Sequence, residues 1–490
     1  MAALNETGGR VQLHFIIVGS GHAGSACALA LRYAGHRVTI LEKGSSQQRA
    51  QESESYRIPP NLLRILREWG LQEAVRLHST KCDSVHISGF ESGEYLGGYR
   101  WDEQLLQEVD GDIIFIQDTD LQRILLQAAI SNGISVRYDV RITHIDTETP
   151  SVQMVTAQGT QVLCGDVIVV ADASLDGGSM PDIGFSLTAA QEETGIEIRR
   201  TVVPRYVAAS DLGLHRLCGS DIADMFIWMG NGCSVLTYPK GARQSDIMMQ
   251  TYSCSNEVST AEKVPPVPEP RYTKRLVARS KCVIKSRKIL LRHVPDKWVK
   301  GKMVIIGDLA HPLPPGSLQS CALSIEDAAI LAELFSHLNQ KAQINEFLLA
   351  FESIRKPRCE EMHTKEYGII YFMSLPPGEQ QEYRDQAMRA RRDTGLFTID
   401  PTQNLLDTVE EKEIRDVFAY NAREEAERWW LEWGILREIY APDCEEDTPS
   451  DNARGGRYAV RVHVKKSTTI TMQRYKDIAG NLWNGREAGC

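Results

Sequence analysis

Residues 13–24 read Leu13-His14-Phe15-Ile16-Ile17-Val18-Gly19-Ser20-Gly21-His22-Ala23-Gly24, and this stretch decides the fold. Its first six residues are an apolar, β-branched-rich run stopped by glycine, which predicts a short buried strand. Residues 25–33 (SACALALRY) follow with helical composition and end near Gly35, and Val38-Thr39-Ile40-Leu41 predicts a second strand. Strand, helix and strand within about 30 residues make one βαβ unit, with a GxGxxG pattern at the strand-to-helix turn. Gly19 permits the tight turn, Gly21 lets the backbone approach a pyrophosphate, and Gly24 lets the helix pack closely on the strand. The helix start offers free N–H groups and a partial positive charge, so a phosphate needs no cationic side chain there. Glu42 lies 42 − 24 = 18 residues beyond Gly24, at the end of the second strand. A carboxylate at that point accepts hydrogen bonds from a ribose. The unit therefore predicts dinucleotide binding.

The rest of the composition sets the frame. With 490 residues the chain has room for two to four domains at roughly 100–200 residues each. Hydrophobic residues at 42% and charged residues at 24% exclude collagenous and bulk-disordered classes. Lys+Arg 55 against Asp+Glu 65 gives a net charge of −10, which argues against a general binder of nucleic acid or anionic membrane. The longest apolar runs are too short for a transmembrane segment, and residues 13–18 lack the basic flank of a signal peptide. The 11 cysteines are odd in number and form no CxxC pair, so neither a disulfide framework nor a metal site is expected. Free buried thiols in a reducing, cytoplasmic setting fit this usage.

Further along, the Ile58-Pro59-Pro60 entry predicts a helix over 61–69, because proline is tolerated before a helix or in its first turn. Residues 81–110 read as sheet and loop, 113–116 as a strand, and 120–131 as an amphipathic helix. Strands are expected over 135–141, 152–157 and 167–170. From 185 to 290 short β-like runs dominate, among them 226–229 and 234–238 on either side of Gly230-Asn231-Gly232. A buried strand over 303–306 and a helix over 324–334 follow, then charged helices beyond 376. Trp429, Trp430 and Trp433 have the spacing of a helix-docking face. Residues 444–456 have linker composition, and 458–472 alternate without an assignable role.

A second constellation, Gly307-Asp308-Leu309-Ala310-His311-Pro312, follows the 303–306 strand, then Pro314-Pro315-Gly316-Ser317-Leu318-Gln319 and a helix carrying Glu326-Asp327-Ala328. With the first motif, this resembles the FAD-dependent single-component monooxygenases, the aromatic-hydroxylase or salicylate-hydroxylase-like family. The resemblance covers roughly residues 12–440, and 298–302 and 355–358 look like the family's flanking segments. It implies an α/β fold in which a Rossmann-like FAD-binding domain is interleaved with a β-sheet substrate domain and followed by C-terminal helices. The implied division is 1–80, 111–184 and 291–375 for the FAD domain, and 81–110 and 185–290 for the substrate domain. Helices at 376–443 and a linker and tail at 444–490 complete it.

By the same resemblance, Gly19, Gly21, Gly24, Glu42, Arg57, Asp308, Pro315 and Gln319 hold FAD, Asp308 meeting its ribitol. The helix starting near Gln319 is expected to aim its positive end at the flavin pyrimidine edge. NADPH or NADH would serve as a transient co-substrate, since only one well-placed GxGxxG exists. With O₂ the implied reaction runs through a C4a-hydroperoxyflavin. It hydroxylates or epoxidises a hydrophobic aromatic or isoprenoid molecule, of the kind met in fungal-type secondary metabolism. Trp228, Tyr238, Arg205 and Tyr206 are the candidates for substrate contact, Phe226 standing beside them. No catalytic residue is identifiable; His311 is expected to be a strand-to-loop histidine bonded to backbone.

The sequence departs from the family pattern at three points. Gln117-Asp118 stands where the family shows His-Arg, Ala171-Asp172-Ala173 where it shows Ala-Asp-Gly, and Ser320 where it shows glycine. An acid in place of an arginine should weaken the hold on FAD. Two other readings stay open at this point: a flavin-dependent reductase or dehydrogenase, and a degenerate pseudo-flavoprotein without enzymatic activity.

Overall fold

A computed structural model describes residues 11–45, 54–101, 103–171, 192–209, 222–242, 245–254, 285–393 and 416–435. Asp172, Ala173 and the expected linker and tail at 444–490 lie outside these residues.

The apolar run forms strand β1 (His14–Val18), the glycine turn opens helix α1 (His22–Tyr33), and β2 (Arg37–Leu41) follows. β1 sits at the centre of a six-stranded sheet. The order is Val299–Lys300, Met303–Ile305, Val167–Val170, β1, β2, Ser135–Arg137. Pairing is parallel except at the Val299–Lys300 edge, with Ile16 opposite both Ile168 and Thr39. Every residue of β1 is buried, as a parallel strand covered on both faces requires. α1 packs against α2 (Asp118–Ser131) and α3 (Ser320–Ser336). Val152 and Met154, from a separate three-stranded antiparallel sheet, join the same core.

A second sheet, of nine strands, carries the other half of the molecule. Its main path runs Lys285–Leu291, Glu192–Val203, Ile247–Cys254, Cys233–Pro239, Ile222–Gly230, Ser79–Gly89, Ile114–Gln117, Ser55–Ile58, and Tyr95–Arg100 pairs with Ser79–Gly89. Gly230-Asn231-Gly232 forms the turn between two paired strands, as its composition predicts. Ser55–Ile58 and Ile114–Gln117, expected with the cofactor half, instead pair at this sheet's edge, so the chain passes between the two sheets there. Helix α4 (Ile344–Met373) adds Tyr367, Ile370 and Met373 to the core beneath the sheet. Trp430 stacks on His337 at 4.6 Å and Trp429 stands edge-on to Phe347, so this pair docks its helix, whereas Trp433 is 49% exposed.

α3 and α4 are joined by a buried charge cluster. Arg355 donates to Glu326 Oε2 (2.8 Å), Asp327 Oδ1 (2.7 Å) and the Leu323 carbonyl (3.1 Å). Burial opposes the charge of Asp327, yet His311 and Arg355 hold its carboxyl below the ordinary value. The cluster reaches the 314–319 loop through Asn61. Its amide nitrogen donates to Glu326 Oε1 (2.8 Å) and to Gln319 Oε1 (3.0 Å), leaving Gln319 Nε2 buried without a partner. No helix among the described residues is long and apolar enough to cross a membrane.

Candidate active site

The glycine turn has the shape its motif predicts. Gly19 sits at φ 98°, a region that favours glycine. A Cβ on Gly24 would lie 2.0 Å from the Gly19 carbonyl oxygen, so only glycine lets α1 start this close to β1. Gly21 is different: a Cβ there meets nothing within 4 Å, and no side chain caps the start of α1. The turn thus leaves open space in front of uncapped N–H groups, which is what a pyrophosphate cradle requires. Glu42 accepts from Ser20 N (2.8 Å), Ser20 Oγ (2.6 Å) and Gly44 N (2.7 Å), so its carboxylate stands at the lip of the turn.

Asp308, in a single 3-10 turn after the Met303–Ile305 strand, is exposed. It borders a cleft of about 430 Å³ that also takes in Tyr56, Pro314, Pro315, Gly316 and Ser320. Ser320, the residue replacing the family's glycine, donates to Asp308 Oδ1 at 3.3 Å. The residues present fit FAD: an open glycine cradle, a carboxylate at the end of β2, and a second exposed carboxylate beside a long cleft.

On the other side of the same loop lies a cavity of about 470 Å³ between the nine-stranded sheet and α4. Met225, Ile227 and Met229 face it from one strand and Leu236 from the next. α4 contributes Met362, Glu366, Ile369, Ile370 and Met373, one face at helical spacing. The polar groups Arg57, Gln319 and Glu366 border this cavity near Gly316. Arg57 donates to the Gly316 carbonyl, and the Gln319 backbone N–H donates to Glu366 Oε1 at 2.8 Å. Burial pushes the Glu366 carboxyl above its ordinary value, against the pull of Arg57 and the loop N–H groups.

The expected substrate residues do not line this cavity. Side chains alternate along a strand, so with Met225, Ile227 and Met229 facing the cavity, Phe226 and Trp228 point to the opposite face. There Trp228 packs with Phe90, Val203 and Val235, and Phe226 stacks on His86. Tyr238 is one layer behind the wall, stacked on Phe115 at 5.4 Å with the Arg57 guanidinium over its ring. Arg205 and Tyr206 belong to a short helix after the Glu192–Val203 strand, with Tyr206 73% exposed. His311 is fully buried and its Nε2 meets Asp327 Oδ2 at 2.7 Å, so its partner is a carboxylate rather than backbone. The cavity wall was legible from the two-residue alternation of Met225, Ile227 and Met229, a signal that aromatic content obscured.

Comparison with known proteins points to the same cofactor. Residues 12–219 match the model of an FAD binding domain. The chain is 26% identical over 399 residues to the FAD-dependent monooxygenase OpS4 of Beauveria bassiana, covering 77% of this chain and 90% of that protein. It is 22% identical over 391 residues to the 3-hydroxybenzoate 6-hydroxylase of Klebsiella oxytoca, covering 78% and 93%. Its fold matches that of a salicylate hydroxylase in complex with substrate, at a TM-score of 0.63 and 15% identity over 85% of this chain and 97% of that one. Fold and site define an FAD-binding α/β flavoprotein. More narrowly, the relatives this chain resembles over three quarters of its length are FAD-dependent monooxygenases and aromatic hydroxylases.

Proposed function

We propose that the protein uses NADPH or NADH and O₂ to hydroxylate or epoxidise a hydrophobic aromatic or prenylated small molecule, in fungal-type secondary metabolism. The observation that carries this reading is the two-sided loop. Asp308, Pro315 and Ser320 border the cofactor cleft, Leu318 and Gln319 border the carbon-lined cavity, and Gly316 borders both. Cleft and cavity meet at Gly316, where a molecule in the cavity would lie next to the cofactor.

When bound, FAD supplies the activation of oxygen with electrons taken from the nicotinamide. The chain's own residues position and exclude water. The glycine turn and Glu42 take the adenosine end of the cofactor and Asp308 its sugar-alcohol portion. The methionine and isoleucine side chains of sheet and α4 keep the cavity dry. Arg57, Gln319 and Glu366 give it one polar end, where burial favours the protonated form of the Glu366 carboxyl. The cofactor domain is read as 1–80, 111–184 and 291–375, its border with the substrate domain falling within the strands at Ser55–Ile58 and Ile114–Gln117.

Asp308→Ala should abolish flavin retention while the protein stays folded, because this carboxylate is exposed and its bond from Ser320 is long at 3.3 Å. Flavin absorbance after gel filtration, read beside the melting temperature, checks this; full FAD occupancy in the variant would remove the assignment. The reaction class is tested by product labelling under ¹⁸O₂ with a panel of aromatic and prenylated compounds. The expected product carries one labelled oxygen. Product formed anaerobically without new oxygen would favour a reductase instead, and a protein that never takes up FAD would favour the non-enzymatic reading.

A further inference from the structure

His22 and Asp118 meet across the mouth of the glycine turn. His22 is the first residue of α1, inside the GxGxxG pattern, and Asp118 is the first residue of α2, where the family pattern has arginine. His22 Nε2 lies 3.1 Å from Asp118 Oδ1 and 3.3 Å from the Asp118 carbonyl oxygen. The imidazole stands edge-on to Tyr56 at 5.3 Å. At 15% and 24% side-chain exposure, the pair is at the edge of the cradle and not in the core. α2 is fastened to the turn by Gln122 Nε2, which donates to the Ser20 carbonyl at 3.1 Å.

The ionisable groups nearest the pair are acidic or neutral, while Arg200, Arg287, Lys288 and Arg292 border the cleft beyond Tyr56. From α2 comes Asp118, with Asp120 paired to Arg123; from the Ser55–Ile58 strand comes Tyr56. Tyr56 lies in the field of Asp118, Asp308 and Glu54, and Glu54 is paired with Arg200. Burial keeps Tyr56 and Cys321 protonated near neutrality. With its ring neutral, the His22–Asp118 pair presents a net negative charge beside the doubly negative phosphates expected at the turn. With its ring protonated, the pair is neutral and an N–H donor remains.

We propose that His22, held by Asp118, is a proton-dependent clamp on FAD, the imidazolium supplying the charge that an arginine at position 118 would bring. This rests on the FAD site described above. By linkage, phosphates that favour the protonated ring draw a proton onto it, so FAD binding takes up a proton. Affinity then rises as pH falls, by at most tenfold per pH unit for one proton.

The test is titration of flavin-stripped protein with FAD, followed by flavin fluorescence, between about pH 6 and pH 8.5. The wild-type Kd should rise several-fold with pH. His22→Gln should bind more weakly at the acid end and show no slope. Asp118→Asn should tighten binding at the alkaline end, and Asp118→Arg should tighten it with no pH dependence. Calorimetry in two buffers of different ionisation enthalpy measures the proton uptake directly on wild type, without reliance on any variant. A wild-type Kd that does not change with pH, or a slope that survives in His22→Gln, overturns the clamp while leaving the FAD site standing. A wild-type protein that binds no FAD at any pH overturns the site as well.

Discussion

Arg355→Met should destabilise the protein by about 3–5 kcal/mol, the range for breaking a buried ion pair by removing one partner. Arg355, Glu326 and Asp327 are all fully buried, and the guanidinium answers both carboxylates at once. Methionine fills much of the volume and leaves Asp327 only His311 and Glu326 only Arg358, at 3.6 Å, as basic partners. Urea unfolding followed by tryptophan fluorescence reads the loss as a lowered midpoint. Adding Glu326→Gln and Asp327→Asn to Arg355→Met should recover part of it, because the stranded charges are then gone. The pH dependence has a definite sign. Asp327 is held below its ordinary value, so its contribution is present above the unfolded-state pKa of about 4 and is lost as pH falls through the lower folded value. Wild type should therefore lose stability in acid more steeply than the triple variant. An Arg355→Met protein with an unchanged midpoint would show that the cluster contributes nothing net.

The same cluster explains what was and was not legible in the sequence. The βαβ unit could be read because each of its signals is local: a β-branched run, three glycines at fixed offsets, and an acid at the next strand's end. The second motif could be read by resemblance, since Asp308, Gln319, Glu326 and Asp327 keep their register. What these residues do to one another depends on contacts far apart in the chain. Glu326 orients Asn61 across 265 positions, and Asn61 in turn orients Gln319. No periodicity encodes that relay. The wall of the apolar cavity escaped the sequence reading for another reason. Aromatic residues drew the eye to Phe226 and Trp228, while strand alternation assigns the cavity to Met225, Ile227 and Met229. Parity says only which residues share a face; it took the long helix α4 to decide which face is enclosed. The His22–Asp118 pair lies between these cases. Both residues stand out as departures, but their meeting needed the fold.

Gly21→Val should weaken FAD binding by roughly 100-fold, about 2.8 kcal/mol, with the melting temperature of the flavin-free protein unchanged. The reason is geometric. Gly21 has φ −62° and ψ −171°, a conformation that an L residue adopts without strain, and its Cβ would project into space empty to 4 Å. A side chain there costs the apoprotein little and fills the place where backbone and pyrophosphate must come close. Gly24→Ala is the matched contrast. Its Cβ would stand 2.0 Å from the Gly19 carbonyl oxygen, so the turn itself must open, and stability and flavin should be lost together. Differential scanning fluorimetry of stripped protein and equilibrium FAD titration separate the two effects. If Gly21→Val bound FAD as tightly as wild type, the phosphates would not lie against this turn, and the clamp argued for His22 and Asp118 would lose its target. If Gly24→Ala kept both stability and flavin, the close approach of α1 to β1 would not be what shapes the cradle.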